Sequence, residues 1–248
     1  MWPSLVYYHL VKAGVYEPIR ARDRRGGRGN KAMPVTTLTP SLAEFLGIHV
    51  GDGSYTAHAW WLKDGFEEIA YCQNFVSPLL NDTFQIKTHA SLKWYPSHRT
   101  PRSVIRSQSA VLFRTLEYFG FMPGRKARHV KVPQLVLDAD EEVQKSFLKG
   151  LFDTDGSIGA GSDQRPIIVA VYTRSKDLAW TVNQLINELG IETRKVTMGR
   201  ETYQVAPRRS EYENWMRTVG TSNLKHATKW EIYKKTRSCF HIQRYGGV

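Results

Sequence analysis

The tripeptide Asp-Gly-Ser occurs twice, as Asp52-Gly53-Ser54 and as Asp155-Gly156-Ser157, a shift of 103 residues. The same shift places SLAEFLGIHVGDGS (41–54) on QKSFLKGLFDTDGS (144–157). Small residues then coincide at Ala43/Ser146, Gly47/Gly150 and Gly51/Thr154, and apolar ones at Phe45/Leu148 and Ile48/Leu151. Self-similarity at a fixed shift marks one structural unit used twice. A lone Asp-Gly is most simply a surface turn. Two in equivalent settings can instead form a proton-sharing dyad, a glycosidase pair or a metal site.

The elements that must position them are helices. Leu42, Phe45, Leu46 and Val50 recur at helical spacing, as do Val143, Phe147, Leu148 and Leu151. Ser41 with Glu44 fits a capping box, and Asp140, Glu141 and Glu142 place negative charge where a helix dipole favours it. Gly53 and Gly156 are expected to stop the two helices. Small residues at i, i+4 and i+8 leave a stripe where another backbone can approach. The economical arrangement is two helices packed about a pseudo-two-fold axis, with Asp52 and Asp155 side by side at the end of the seam.

Strand patterns follow each motif, at 55–62 and 167–173, with more near 84–95, 102–107, 192–197 and 203–206. Helical patterns cover about 66–80, 110–119, 175–190, 210–219 and 227–236. The fold class expected is α+β, the same unit used twice. Its divisions are a basic extension (1–37), a first repeat (38–137) and a second repeat (138–248).

The charge identifies the partner class. Lys+Arg 35 against Asp+Glu 23 gives a net charge of +12, and it is gathered in stripes. The first holds Arg20, Arg22, Arg24, Arg25, Arg28 and Lys31, the second Lys87, Lys93, Arg99, Arg102 and Arg106, the third Arg194, Lys195, Arg200, Arg208 and Arg209. Such stripes suit a phosphate backbone and make these residues candidate nucleic-acid contacts. Hydrophobic content of 41% excludes wholesale disorder. No apolar run approaches a membrane span, the N-terminus does not read as a signal peptide, and Cys72 and Cys239 form neither a disulfide framework nor a zinc ribbon. An intracellular protein, cytoplasmic or nucleoid-associated and without a membrane partner, is expected.

A polyanionic partner favours the metal reading of the paired carboxylates. Phosphodiester cleavage needs a hard cation, and carboxylate, backbone carbonyl and water suit Mg²⁺. The carbonyls of Gly51 and Thr154, at helix C-termini without intrahelical partners, are natural further ligands. Competing motifs fail. Asp153-x-Asp155-Gly156 lacks the glycine and glutamate of a calcium loop, no Asp-x-Lys or Glu-x-Lys occurs, and there is neither a P-loop nor H-E-x-x-H. His49 reads as a packed or surface residue.

FLGIHVGDG (45–53) and LKGLFDTDG (148–156) resemble the paired motifs of LAGLIDADG homing endonucleases, and two copies in one chain resemble that family's single-chain, monomeric branch. The resemblance covers about residues 38–240. It implies an αββαββα unit in each half and a saddle of two antiparallel sheets on the major groove of a long, pseudo-palindromic or asymmetric duplex target. It also implies Mg²⁺-dependent cutting of both strands with 3′ overhangs, Mn²⁺ or Ca²⁺ being able to occupy the same sites. The family's catalytic aspartates fall on Asp52 and Asp155, and its metal-binding carbonyls on Gly51 and Thr154. The basic or amide residue at a strand end falls on Arg174 in the second half, with Lys63 as the nearest counterpart in a shorter first half. The pocket lysine falls on Lys126, and on Lys229 or Lys225 in the second half. Two other classes remain open, an RNA maturase and a non-cleaving DNA-binding regulator, and the absence of splicing motifs favours an intron-encoded frame.

Overall fold

The computed structural model describes residues 32–160 and 167–236. The arm residues Arg24 and Arg25 lie outside the described residues, as does Cys239. The first repeat runs α1 (Pro40–Val50), β1 (Gly53–Tyr55), β2 (Trp60–Gly65), α2 (Ser77–Phe84), β3 (Ser91–Lys93), β4 (Arg102–Ser107) and α3 (Ala110–Tyr118). The second runs α4 (Glu141–Asp155), β5 (Gly156–Ala160), β6 (Ile167–Thr173), α5 (Lys176–Glu188), β7 (Thr197–Gly199), β8 (Thr202–Val205) and α6 (Tyr212–Thr218), followed by α7 (Leu224–Thr236). Each repeat is an αββαββα unit around a four-stranded antiparallel sheet, ordered β1-β2-β4-β3 and β5-β6-β8-β7. The fold is α+β, with two antiparallel sheets.

Helix α1 is capped two residues earlier than the sequence suggests, at Thr39 rather than Ser41. The Thr39 hydroxyl accepts from the Leu42 amide at 3.2 Å, and Pro40 opens the helix with its φ already set. Glu44 is therefore not half of a capping box. It turns into the seam, 7% exposed, and pairs with Lys149 of α4 at 3.0 Å. Helix α4 starts as expected, Asp140 accepting from the Val143 amide at 3.0 Å, with Glu141 and Glu142 in its first turn.

Two expected strands contract. Helical structure entered through Phe66–Glu68 continues past 80 to Phe84, passing through a π-helical turn at Cys72–Val76 just ahead of Pro78, which has no N–H to donate. Gln85 then turns left-handed, and the Asn81 side chain accepts from the Thr88 amide at 2.6 Å, so pairing begins only at Ser91. In the second repeat Thr193 makes one isolated bridge to Pro207, and β7 begins at Thr197. Among the described residues no helix is long and apolar enough to cross a membrane.

The core lies between the sheets and the outer helices and runs through the α1–α4 seam. Phe45, Leu46, Ile48 and Trp60 on one side, and Phe147, Leu151, Phe152 and Trp215 on the other, are essentially inaccessible. Two sheets sharing one seam of helices hold both repeats in fixed register.

Candidate functional site

The seam is a backbone-to-backbone contact. A methyl group on Gly47 would overlap the Phe147 carbonyl oxygen and come within 2.7 Å of the Leu151 nitrogen; one on Gly150 would overlap the Glu44 carbonyl and reach 3.0 Å from the Ile48 nitrogen. At the end of the seam Gly51 faces Thr154, whose Cβ would lie 2.9 Å from a Cβ on residue 51. The three small pairs of the repeat are thus what lets the helices touch. Gly53 and Gly156 serve close approach rather than a left-handed stop. Gly156 has φ −86°, and a side chain on Gly53 would come within 2.6 Å of the His49 Cα. His49 is packed: its Nδ1 accepts from the Trp60 indole at 3.1 Å, and its ring meets Phe121 edge-on.

Asp155 ends α4, and Asp52 stands just past the α1 C-cap, Gly51. Asp52 is open to solvent on one side, yet protein crowds the rest of its surroundings. This desolvation, and then the charge of Asp155, pushes its carboxyl up to about 7. Burial raises Asp155 to about 6, against the opposing pull of Lys126. Lys126 feels both aspartates, which raise a pKa that burial lowers, and its ammonium donates to the carbonyls of Val50 and Gly51. The Gly51 carbonyl, a candidate metal ligand, therefore accepts from Lys126 here.

The first half brings two further carboxylates that sequence reasoning missed. Asp64, near the end of β2, is raised to about 7 by burial and then by the charges of Asp52 and Glu68. Glu68, 2% exposed, pairs with Lys225 through Oε1, while its Oε2 is buried without a hydrogen-bond partner. A signal was present: strand alternation from Trp60 and Leu62 places Asp64 on their side of the sheet.

The second half holds its lysine by a different device. Asp153 is 1% exposed and accepts from the Ser222 amide at 3.0 Å, the Asn223 amide at 3.3 Å and the Thr221 hydroxyl. Asn223 returns a bond from its amide to the Asp153 carbonyl at 2.9 Å. This clamp fixes the start of α7 and aims Lys225 at Glu68 and Asp64. Lys229, one turn on, acts on His226.

The remaining candidates separate. Pairing of Gly53 with Leu62 and of Gly156 with Val171 makes Gly65, not Lys63, the register counterpart of Arg174. Lys63 stands on the open face of the first sheet, 4.8 Å above the Trp61 ring and 5.3 Å from Tyr95. Arg174 pairs with Glu201, which also meets Arg128 at 3.2 Å. Arg102, Arg106 and Lys93 lie on β4 and β3, with Arg106 over Trp61 at 4.7 Å; Lys87 and Arg99 are exposed in adjoining loops. Arg194 and Lys195 precede β7, Arg200 sits in the β7–β8 turn, Arg208 pairs with Glu192 at 2.8 Å, and Arg209 opens a 3-10 turn.

Asp52 and Asp155 are oxygen donors crowded enough that burial opposes their charge, which suits a hard divalent cation. Among the described residues no three His, Cys, Asp or Glu side chains gather closely enough to hold an ion alone. Such a site needs water and substrate oxygens to complete it, the usual arrangement for Mg²⁺ at phosphoryl centres.

Known proteins share this build. Residues 142–225 match the family model of the LAGLIDADG-like domain. Among solved structures, I-WcaI bound to its DNA recognition sequence superposes with a TM-score of 0.51 at 14% identity, over 86% of this chain and 92% of that one. I-DmoI in complex with DNA and Mn gives 0.50 at 15% identity, over 74% and 98%. Full-length DUF199/WhiA from Thermatoga maritima gives 0.52 at 12% identity, over 87% and 66%. In sequence, the chain is 23% identical over 176 residues to the alpha chain of the ribonucleoside-diphosphate reductase NrdEB of Bacillus subtilis (strain 168), and 24% identical over 180 residues to the DNA polymerase of Thermococcus sp. (strain GE8). It is 26% identical over 222 residues to the replicative helicase DnaB of Nostoc sp.. These matches take up 68%, 71% and 83% of this chain but only 16%, 10% and 24% of those proteins. The second repeat thus matches the LAGLIDADG-like domain model, and the whole two-motif chain has the fold of the LAGLIDADG proteins it superposes on.

Proposed function

We propose that the chain is a site-specific double-strand DNA endonuclease that works as a monomer inside the cell, with Mg²⁺ as its cofactor. The observation that carries this reading is the placement of Asp52 and Asp155 at one end of the α1–α4 seam, with a basic sheet face in the same repeat as Asp52. Asp52 and Asp155 would hold a divalent cation, which would supply Lewis-acid charge to a scissile phosphate and lower the pKa of water. The chain's own residues do the rest. The seam fixes the carboxylate spacing, Lys126 in the first half and Lys225 in the second place positive charge beside it, and Arg174 marks the second strand end. Lys63, Lys93, Arg102 and Arg106 offer phosphate and base contacts, and the third stripe offers more from loops. The division into repeats at 137/138, with 1–37 as a basic extension, belongs to the same reading, as do 3′ overhangs.

The sequence relatives support a mobile unit. A reductase, a polymerase and a helicase share no activity, so a segment common to all three is a poor carrier of any one of them. An intron-borne frame, favoured by the lack of splicing motifs, stands against one fact: in these relatives the matched segment belongs to a longer polypeptide.

The test is a plasmid library bearing a long randomised duplex insert, incubated with the full chain and Mg²⁺ and sequenced at the linear ends. One related set of targets, cut on both strands and left intact in EDTA, is expected. No linearisation, or ends scattered without sequence preference, would overturn the proposal.

A further inference from the structure

The two sheets present different chemistry at matching positions of their open faces. Strand register supplies the correspondence. Ser54 pairs with Trp61 as Ser157 pairs with Ala170; Lys63 pairs with Val104 as Tyr172 pairs with Gln204. Ser91 pairs with Val104 as Thr197 pairs with Gln204, and Lys93 with Arg102 as Gly199 with Thr202. Lys63, Lys93 and Arg102 in the first sheet are therefore Tyr172, Gly199 and Thr202 in the second, and Val104 is Gln204. Every position of the second face that has such a counterpart is neutral. The cations of the third stripe lie in loops at its edges.

In the middle of that neutral face the Gln204 amide is bracketed by two hydroxyls. Its nitrogen donates to the Tyr172 hydroxyl at 3.2 Å, and the Thr197 hydroxyl lies 3.5 Å from its oxygen. Tyr172 and Gln204 are half-buried, which restricts their rotamers, while Thr197 is exposed. One N–H and one oxygen lone pair of the amide remain for a ligand. A carboxamide that offers one donor and one acceptor side by side matches the N7 and N6 edge of adenine in the major groove, whereas guanine there offers two acceptors, which suit arginine or lysine.

We infer that Gln204, held in orientation by Tyr172 and Thr197, reads an adenine in the half-site under the second sheet, while the first sheet reads its half-site with cations. The inference rests on the chain binding duplex DNA as proposed above, and it assigns the chemical asymmetry of the target to named side chains. Tyr172 and Thr197 are positioning residues: they touch Gln204 rather than the base.

The experiment is a binding selection of the full chain, in EDTA, against a randomised duplex library, with the bound pool sequenced. Wild type should show a strong adenine preference at one position on one side of the target centre. Gln204→Ala should relax that preference about five- to a hundredfold, leaving other positions unchanged. Gln204→Arg should move it to guanine. Tyr172→Phe should weaken it without changing the preferred base, an effect that a merely structural role would not confine to one base pair. Melting curves of the variants show that each is folded. The inference is overturned if wild type selects a sharp sequence that the Gln204 variants leave unaltered, or if they weaken all positions evenly. A wild-type chain that retains no duplex, or retains it without sequence preference, would instead remove the proposed function and the inference with it.

Discussion

Gly51 and Thr154 face each other at the end of the helix seam, so closely that a Cβ on residue 51 would lie 2.9 Å from the Thr154 Cβ. Each is followed directly by one of the two aspartates. Carboxylate spacing is thus set by how near the helix backbones come, and any substitution that widens the seam acts on both carboxylates.

Gly47→Ala and Gly150→Ala test this relationship. Either methyl overlaps a carbonyl oxygen of the opposite helix, and main chain cannot yield as a side-chain tip can. Each should destabilise the fold by about 1–3 kcal/mol through overpacking. Calorimetric melting should show a fall of several degrees, and cleavage should decline further than stability does. An unchanged melting temperature in both variants would contradict the packing described.

Asp153→Ala removes the acceptor that holds residues 221–223. The half-buried Ser222 amide and Thr221 hydroxyl would lose their acceptor, and losing such a hydrogen-bonded carboxylate costs about 1–3 kcal/mol. Lys225 should lose its aim at Glu68 as the start of α7 loosens. Hydrogen exchange at the Ser222 and Asn223 amides should rise well before that of α4. Equal protection in variant and wild type would count against the clamp.

The raised carboxylates predict a direction for pH. Asp52 and Asp153 titrate near 7 and Asp155 near 6 in the folded chain, against values of about 4 when unfolded. Between those limits the folded state binds more protons. The stability these groups contribute is complete below about pH 4 and is lost as pH rises through 6 to 7. A divalent cation must displace those protons, so it should bind more weakly as pH falls below about 7. Melting temperatures in EDTA and in Mg²⁺ across that window, compared with Asp52→Asn/Asp155→Asn, isolate the effect. The metal-free wild type should lose ground to the variant as pH rises; the opposite slope would contradict the reading.

Much of this was legible because the duplication constrains it twice. The small-residue stripe, both aspartates and strands 102–107 and 167–173 follow from periodicity and spacing, whereas the αββαββα order is what the family resemblance implies. What escaped notice depends on tertiary contact. Thr39 wins the cap from Ser41 because Pro40 presets the first turn, a competition between neighbours that composition leaves level. Asp64 and Glu68 are not singled out by sequence, because it is the folding of β2 and the turn after it that brings them to Lys225. The choice between Lys225 and Lys229 turns on the Asp153 clamp, whose partners stand about seventy residues away in sequence. The neutral face around Gln204 was masked by a cluster of cations that are close in sequence yet lie off the strands.

The central claim is that Asp52 and Asp155 form one metal-dependent cutting centre. It is met most directly by measuring double-strand cleavage and binding of a selected target by wild type, Asp52→Asn and Asp155→Asn in Mg²⁺. Loss of a metal-binding carboxylate should cut the rate at least about a hundredfold, several kcal/mol of transition-state stabilisation, while DNA affinity, set by distant phosphate and base contacts, stays nearly unchanged. Wild-type rates of double-strand cutting by either variant would contradict it.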